Sequence, residues 1–396
     1  MKKAFRALAL MLLLALTLTS CSLFFKTSSS SGQTPPPNKP TTDLPKDPSD
    51  AVASNPTVAE LLETLCDYSM ADTTLLLAAS EDCRLLLPDG DSQSVTNSVL
   101  HAVEKKYDVE ILPETYTANQ LLYGVTDMVE KGSGTHYFAD VLILSATEFA
   151  AYREADLLLR LETLPFLDLS SECFEADLAA LFSDDDGTYG VVGAASHSFK
   201  SKITLFFNPE LLAAAGIDFN GYEMVANGSF DVDALQAVLW EYSEKTDETA
   251  ITSGLSTSLT EKLLSQIGSE ILVSDCGNDG SLAFMMGKVP FYIGTLGDVE
   301  KMPTARDKYG MLPIPYTEDG QYGTFYDTDS LYVFCVPKGN ARTDCTGLLL
   351  QAWHMASMYL PYDYFASQLI EKYVWDEGTL KSIFLVEKKA EIILEN

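Results

Sequence analysis

Positive charge is scarce in this chain. Against 57 Asp and Glu it carries only 26 Lys and Arg in 396 residues, a formal net charge of −31. A surface this acidic repels phosphate backbones and anionic lipid, which argues against nucleic acid or electrostatic membrane docking. Histidine is rarer still, and His101, His136, His197 and His354 are scattered without ligand spacing. No two cysteines stand in a C-x-x-C pair, so a zinc knuckle or a thioredoxin motif is not supported. The G-x-S-x-G elbow, H-E-x-x-H, the P-loop and G-x-G-x-x-G are all missing, and no enzyme activity is expected. Carboxylate pairs are plentiful, but with so many acids they look the same as surface charge. The run Asp184-Asp185-Asp186-Gly187 lacks EF-hand spacing and reads as a solvated turn, so neither metal nor cofactor is expected.

What is present begins with targeting. Lys2, Lys3 and Arg6 precede an apolar run from Ala7 to Leu18, shorter than the roughly 20 residues a membrane-spanning helix needs. That pattern is a secretory signal. Leu18-Thr19-Ser20-Cys21 resembles the lipobox of bacterial lipoproteins. The resemblance implies cleavage after residue 20, a diacylglycerol on Cys21 and an extracellular, lipid-anchored protein. Residues 27–56 hold seven of the chain's 17 prolines and almost nothing apolar. Such a segment has no core to form and makes a tether, on the order of 90 Å if extended. The six further cysteines are Cys66, Cys83, Cys173, Cys276, Cys335 and Cys345. They are expected to be mostly free thiols, because a chain this long folds without staples.

From residue 57 onward the periods alternate. Apolar runs at 74–79 and 141–144 read as buried strands and 107–111 as a third; helical spacing fills 57–70, 94–107 and 118–131. The order β-α-β-α-β argues for a parallel sheet, with ligands beyond the carboxyl ends of its strands. Ser80, Asp82, Ser145, Thr147 and Glu148 thereby become candidate ligand residues. Strands are expected at 189–195, 203–207, 291–293 and 331–336, and helices at 209–215, 231–246, 258–272 and 343–359. His197 follows one such strand in an exposed loop or facing a cleft. Tyr326 and Asp327 lie in YGTFYDTDSLY, a polar hairpin or a stacking platform. Trp240 and Trp353 sit at helical spacing and are expected in the core.

Five stretches carry a family resemblance: ADVLILSATEFAAYREADLLLRLETLPFLDLS, FFNPELLAAAGID, GYEMVANGSFDVDALQ, LAFMMGKVPFYIGTLGDVEKM and KYGMLPIPYTEDGQY. In that order, over residues 74–375, they resemble family 1 extracellular solute-binding lipoproteins of ABC sugar transporters, distantly like maltose-binding protein. The resemblance implies an α/β, two-lobed periplasmic-binding-protein-like fold (type II), each lobe a mostly parallel sheet flanked by helices. Lobe one would take 57–165 and 327–372, lobe two 166–326 and 373–396. It further implies a monomer that captures a small polar solute, a sugar or oligosaccharide, between its lobes and delivers it to an ABC permease. Where the family branch has Trp-Thr, this chain has Ser229-Phe230, and the segment between Thr246 and Leu282 is short. These departures keep a second reading open: a degenerate binding fold acting as a surface sensor or interaction lipoprotein without transported solute.

Overall fold

The computed structural model describes residues 57–87, 95–132, 134, 136–268, 271–302, 309–315, 322–323 and 325–364. Cys21, the tether and the segment 373–396 lie outside the described residues, which all fall in one compact unit. The chain opens with α1 (Val58–Glu63), whose start is fixed by a reciprocal pair: Thr57 Oγ1 accepts from the Glu60 amide while the Glu60 carboxylate accepts from the Thr57 amide. Then come β1 (Thr73–Ser80), α2 (Val95–Tyr107), β2 (Val109–Tyr116), α3 (Ala118–Lys131), β3 (Val141–Ser145) and α4 (Ala146–Glu154). As expected from the alternating periods, β1 runs parallel to both β2 and β3. Pro113 is tolerated because β2 is an edge strand.

A short hairpin, β4 (Ser183–Asp184) and β5 (Gly187–Thr188), turns through the exposed Asp185 and Asp186, as its charge predicts. After it, β6 (Gly190–Val191) joins the first sheet. The chain then crosses to a second sheet through two 3-10 turns, Ala194–Ser196 and Ser198–Ser201. The rest of that region comprises β7 (Ile203–Phe207), α5 (Pro209–Ala214), α6 (Gly221–Asn227), α7 (Val232–Thr246), β8 (Ile251–Ser253), α8 (Thr257–Gln266), α9 (Asn278–Met285), β9 (Phe291–Thr295) and β10 (Gly310–Leu312). A small hairpin of β11 (Ile314–Pro315) and β12 (Tyr322–Gly323) precedes the return. β13 (Tyr332–Cys335) re-enters the first sheet, followed by α10 (Thr343–Ser357) and α11 (Tyr359–Tyr364).

The first sheet has the order β2-β1-β3-β13-β6 and the second β10-β7-β9-β8. The two-sheet α/β architecture is the one expected, but the strand directions are more mixed. β13 and β6 are antiparallel additions to the first sheet, and in the second only β8 and β9 are parallel. The cause is connectivity. A parallel neighbour requires a crossover helix, whereas β13 arrives directly from the other sheet and enters reversed. Residues 190–191 belong to the first sheet, and a bridge from Phe174 to Gly193 holds the preceding segment with it. The two sheets therefore part near 192–202. The strand expected at 189–195 is confined to 190–191, and the helix expected at 57–70 ends at Glu63.

One apolar body spans both sheets. It runs from Leu75, Val99 and Trp353 through Ala195 and Phe199 to Phe206, Tyr292 and Met311. A second core packs the other face of the second sheet under α5 to α8, and a third lies between the first sheet, α3 and α4. Trp353 is buried as expected, edge-on to Phe334. Trp240 is not: it is 73% exposed, since α7 turns Val238, Leu239 and Tyr242 inward instead. At the crossing, a Cβ on Gly193 would lie 2.2 Å from the Cys173 carbonyl oxygen and 2.8 Å from His354 Nδ1. Backbone yields little, so Gly193→Ala is expected to destabilise by about 1–3 kcal/mol. A urea midpoint unchanged from wild type would show that the crossing is looser than described.

Candidate functional site

The carboxyl ends of β1 and β3 and the start of β13 lie at one edge of the first sheet, where Ser145 pairs with Tyr332. Two crossing segments meet beside this edge. Lys202 bridges Tyr326, the Asp327 amide donates to the Ser201 carbonyl at 2.8 Å, and the Ile203 amide to Phe325 at 2.6 Å. The second sheet reaches the same place. The Leu296 amide, following β9, donates to the Lys202 carbonyl at 2.9 Å. From the start of α8, Ser256 Oγ donates to Asp329 Oδ2 at 3.1 Å. Ser330 Oγ reaches Ser201 Oγ at 2.9 Å, and Lys200 pairs with Glu300 at 2.9 Å.

Three carboxylates are set in this junction. Asp298 accepts from the Tyr292 hydroxyl at 2.8 Å, the Thr295 amide at 2.9 Å and Lys301 at 2.9 Å. The spacing T-x-x-D marks it as the cap of the turn after β9. Asp327 caps the turn Thr328–Ser330 and accepts from the Asp329 amide at 3.2 Å. Burial first, then the charges of Asp329 and Asp298, push its carboxyl up to about 6. As the pH falls through about 6 it thus changes from a pure acceptor to a group that also donates. Hydroxyls, an ammonium and carboxylates gathered at one junction can fix the orientation of a polar ligand. Among the described residues no group of three or more His, Cys, Asp or Glu is arranged to hold a metal.

Next to this junction lies a groove of 740 Å³, within the usual size of a ligand site. Thr147 and Asp329 stand at one end, Phe149 and Phe182 in its lining, and Arg153 and Asp184 farther along. Arg153 is held by an ion pair to Asp184 and by the Tyr189 ring, 3.5 Å from its guanidinium carbon.

The residues singled out in the sequence meet mixed fates. Thr147 is exposed in the groove, and Asp327 is at the junction. Ser145 and Glu148 do not form a ligand loop. They cap α4 reciprocally, with Ser145 Oγ 2.9 Å from the Glu148 carboxylate and accepting from its amide at 3.2 Å. Ser80 is buried against Cys83 Sγ at 3.1 Å and presents nothing to a solute. Tyr326 is neither a stacking platform nor a surface residue. Its bridge to Lys202 turns the ring into the core, where its hydroxyl engages Glu175. His197 occupies the left-handed region at φ 53° and is half-buried rather than exposed, with burial holding it neutral by lowering its pKa to about 3. The side chain of Asp82 lies outside the described residues. Asp329, Ser256 and Asp298 were missed. The caps at Asp327 and Thr295 have readable spacings, but nothing in the sequence places Ser256 beside Asp329. All six described cysteines are free, as expected.

No family model matches the chain, and no curated protein matches it. Solved structures do. UspC of M. tuberculosis is similar at a TM-score of 0.52 and 14% identity, over 80% of this chain and 89% of that one. A family 1 extracellular solute-binding protein from Alicyclobacillus acidocaldarius is similar at 0.49 and 13%, over 81% and 86%. The GacH receptor of Streptomyces glaucescens, solved unliganded and with acarbose, is similar at 0.47 and 16%, over 81% and 87%. At such identities the likeness is one of fold alone, and it extends over most of both chains.

Proposed function

We propose that this chain is an extracellular solute-binding lipoprotein. It holds a small polar solute, a sugar or oligosaccharide, at the junction of its two sheets and delivers it to an ABC importer. The diacylglycerol on Cys21 and the tether 27–56 would keep it at the outer face of the bacterial membrane. One observation carries the reading: both sheets bring hydroxyls and carboxylates to the same junction, with Ser256 of one side bonded to Asp329 of the other. Beside it opens a groove with aromatic lining. A polyol needs that combination of paired acceptors and donors with an apolar wall. Lobe closure on the solute would work by favouring the state in which both sides touch it.

The Ser256–Asp329 bond also motivates the second reading, because it joins the two sides directly. Thermal unfolding against a panel of mono- and oligosaccharides, amino acids and peptides separates the two. A solute present at 100 times its Kd adds about 2.7 kcal/mol to the native state, a shift of several degrees. A saturable shift with one saccharide class is the expected result. A cooperative melt that no panel member moves would favour the interaction protein.

A further inference from the structure

A different cavity lies on the edge of the first sheet formed by β2, away from the interlobe junction. It measures 340 Å³, enough for one ring rather than an oligosaccharide. On α3, Gln120, Tyr123, Gly124 and Asp127 fall at i, i+3, i+4 and i+7, a single stripe of the helix. Leu121, Val125 and Met128 face the core, so this stripe points outward. The segment leading to β3 lies along it and supplies His136, Tyr137 and Phe138, while Tyr116 closes the end of β2.

The walls are held in place. The Phe138 amide donates to Met128 Sδ at 3.2 Å, and its ring meets Tyr116 at 5.0 Å and 42°. A Cβ on Gly124 would lie 2.3 Å from the Phe138 ring, so the glycine lets that ring lie against the helix. Tyr137 is fixed twice, by its hydroxyl bond to Asp140 and by the Arg342 guanidinium, 4.4 Å from its ring centroid. Against these, Tyr123 leaves its ring 72% exposed at the rim.

We propose that this pocket binds one uncharged, hydroxylated ring, a monosaccharide unit, stacked on Tyr123 and Phe138. The electrostatics choose the class. Asp127 is already paired with Lys131 at 2.5 Å and lies 3.8 Å from His136, so it has little charge left for a ligand cation. Arg342 over Tyr137 weakens the attraction of that ring for a second cation. No Lys or Arg is in the lining, and the chain carries −31, which disfavours an anion. What remains are aromatic faces with hydrogen-bonding groups at their edge. Gln120 accepts from the Thr117 amide and hydroxyl through Oε1, which leaves its NH2 to donate. Asp127 and His136 supply further polar contacts.

The test is ligand-detected NMR on the full chain with D-glucose, D-galactose and N-acetyl-D-glucosamine, each at millimolar concentration, with choline and inorganic phosphate as charged probes. Wild type, Tyr123→Ala and Asp329→Ala are compared. Tyr123→Ala is a surface change, and an unaltered melt confirms its fold. At least one sugar is expected to bind wild type and Asp329→Ala alike, and Tyr123→Ala about tenfold more weakly. Binding lost in Asp329→Ala but kept in Tyr123→Ala would overturn the proposal while leaving the junction site standing. Binding by choline or phosphate alone, or by no probe, would overturn it as well.

Discussion

Asp140→Ala is expected to cost about 3–5 kcal/mol, because it strips the half-buried Arg342 of its partner and leaves the Leu76 amide and Tyr137 hydroxyl without an acceptor. Asp140 is fully buried, at the threshold of β3. Its carboxylate accepts from the Leu76 amide of β1 at 2.8 Å, from the Tyr137 hydroxyl, and from Arg342, whose Nη2 lies 3.1 Å away. Arg342 in turn donates to the Thr74 carbonyl and stands at the start of α10. One carboxylate thus ties β1, β3, the wall of the peripheral pocket and α10. Burial pushes its pKa up, opposed by the Leu76 amide, Tyr137 and Arg342. Asp140→Asn keeps most of the geometry and should cost less than Asp140→Ala. Urea midpoints of the two variants check this. Equal and small losses would mean that the ion pair contributes little.

The second large effect is an acid limb from His354. The ring is 0% exposed on α10, between Phe174 and Phe334, each 4.8 Å away. Nδ1 accepts from the Ala195 amide at 3.4 Å, so the neutral ring carries its proton on Nε2, which has no partner among the described residues. Burial lowers its pKa to about 3. The unfolded chain takes up this proton below about 6.5 and the folded chain does not. Stability therefore falls with pH from about 6.5 down to about 3, by roughly 2.7 kcal/mol at pH 4.5 from this one residue. His354→Gln retains an acceptor for Ala195 and should remove this residue's share of the limb between pH 7 and 4.5, leaving that of His197. An unchanged slope would mean that the ring protonates within the fold.

Much of the fold is legible because burial imposes periods on the sequence. The apolar runs at 74–79 and 141–144 are strands in the middle of a sheet, and Trp353 lies on the helix whose period predicts its burial. Trp240 shows the limit. Helical spacing identifies α7 but does not say which of two flanking stripes faces the sheet. Strand direction in the second sheet escapes for a related reason, since a buried run reads the same either way. The site was harder. S-x-x-E at Ser145 satisfies both a ligand loop beyond a strand and a helix cap, and the cap wins because two orphan amides are satisfied locally. Tyr326 and Asp327 are neighbours, yet alternation in extended chain sends one inward and leaves the other half-buried at the junction. The partners of Asp327 come from segments far apart in the chain, and no local pattern announces them.

Calorimetric titration of wild type and Asp329→Ala tests most directly whether the junction is a solute site. The titrant is a saccharide that raises the melting temperature of the wild type and of Tyr123→Ala alike, so that the peripheral pocket is not what it reads. Asp329→Ala removes a carboxylate shared by the groove and the interlobe bond to Ser256. The predicted result is saturable binding to wild type, weakened about tenfold or more in Asp329→Ala, as loss of a charged hydrogen-bonding group implies. Equal affinities in the two proteins would contradict it, and so would a wild type that binds no saccharide at all.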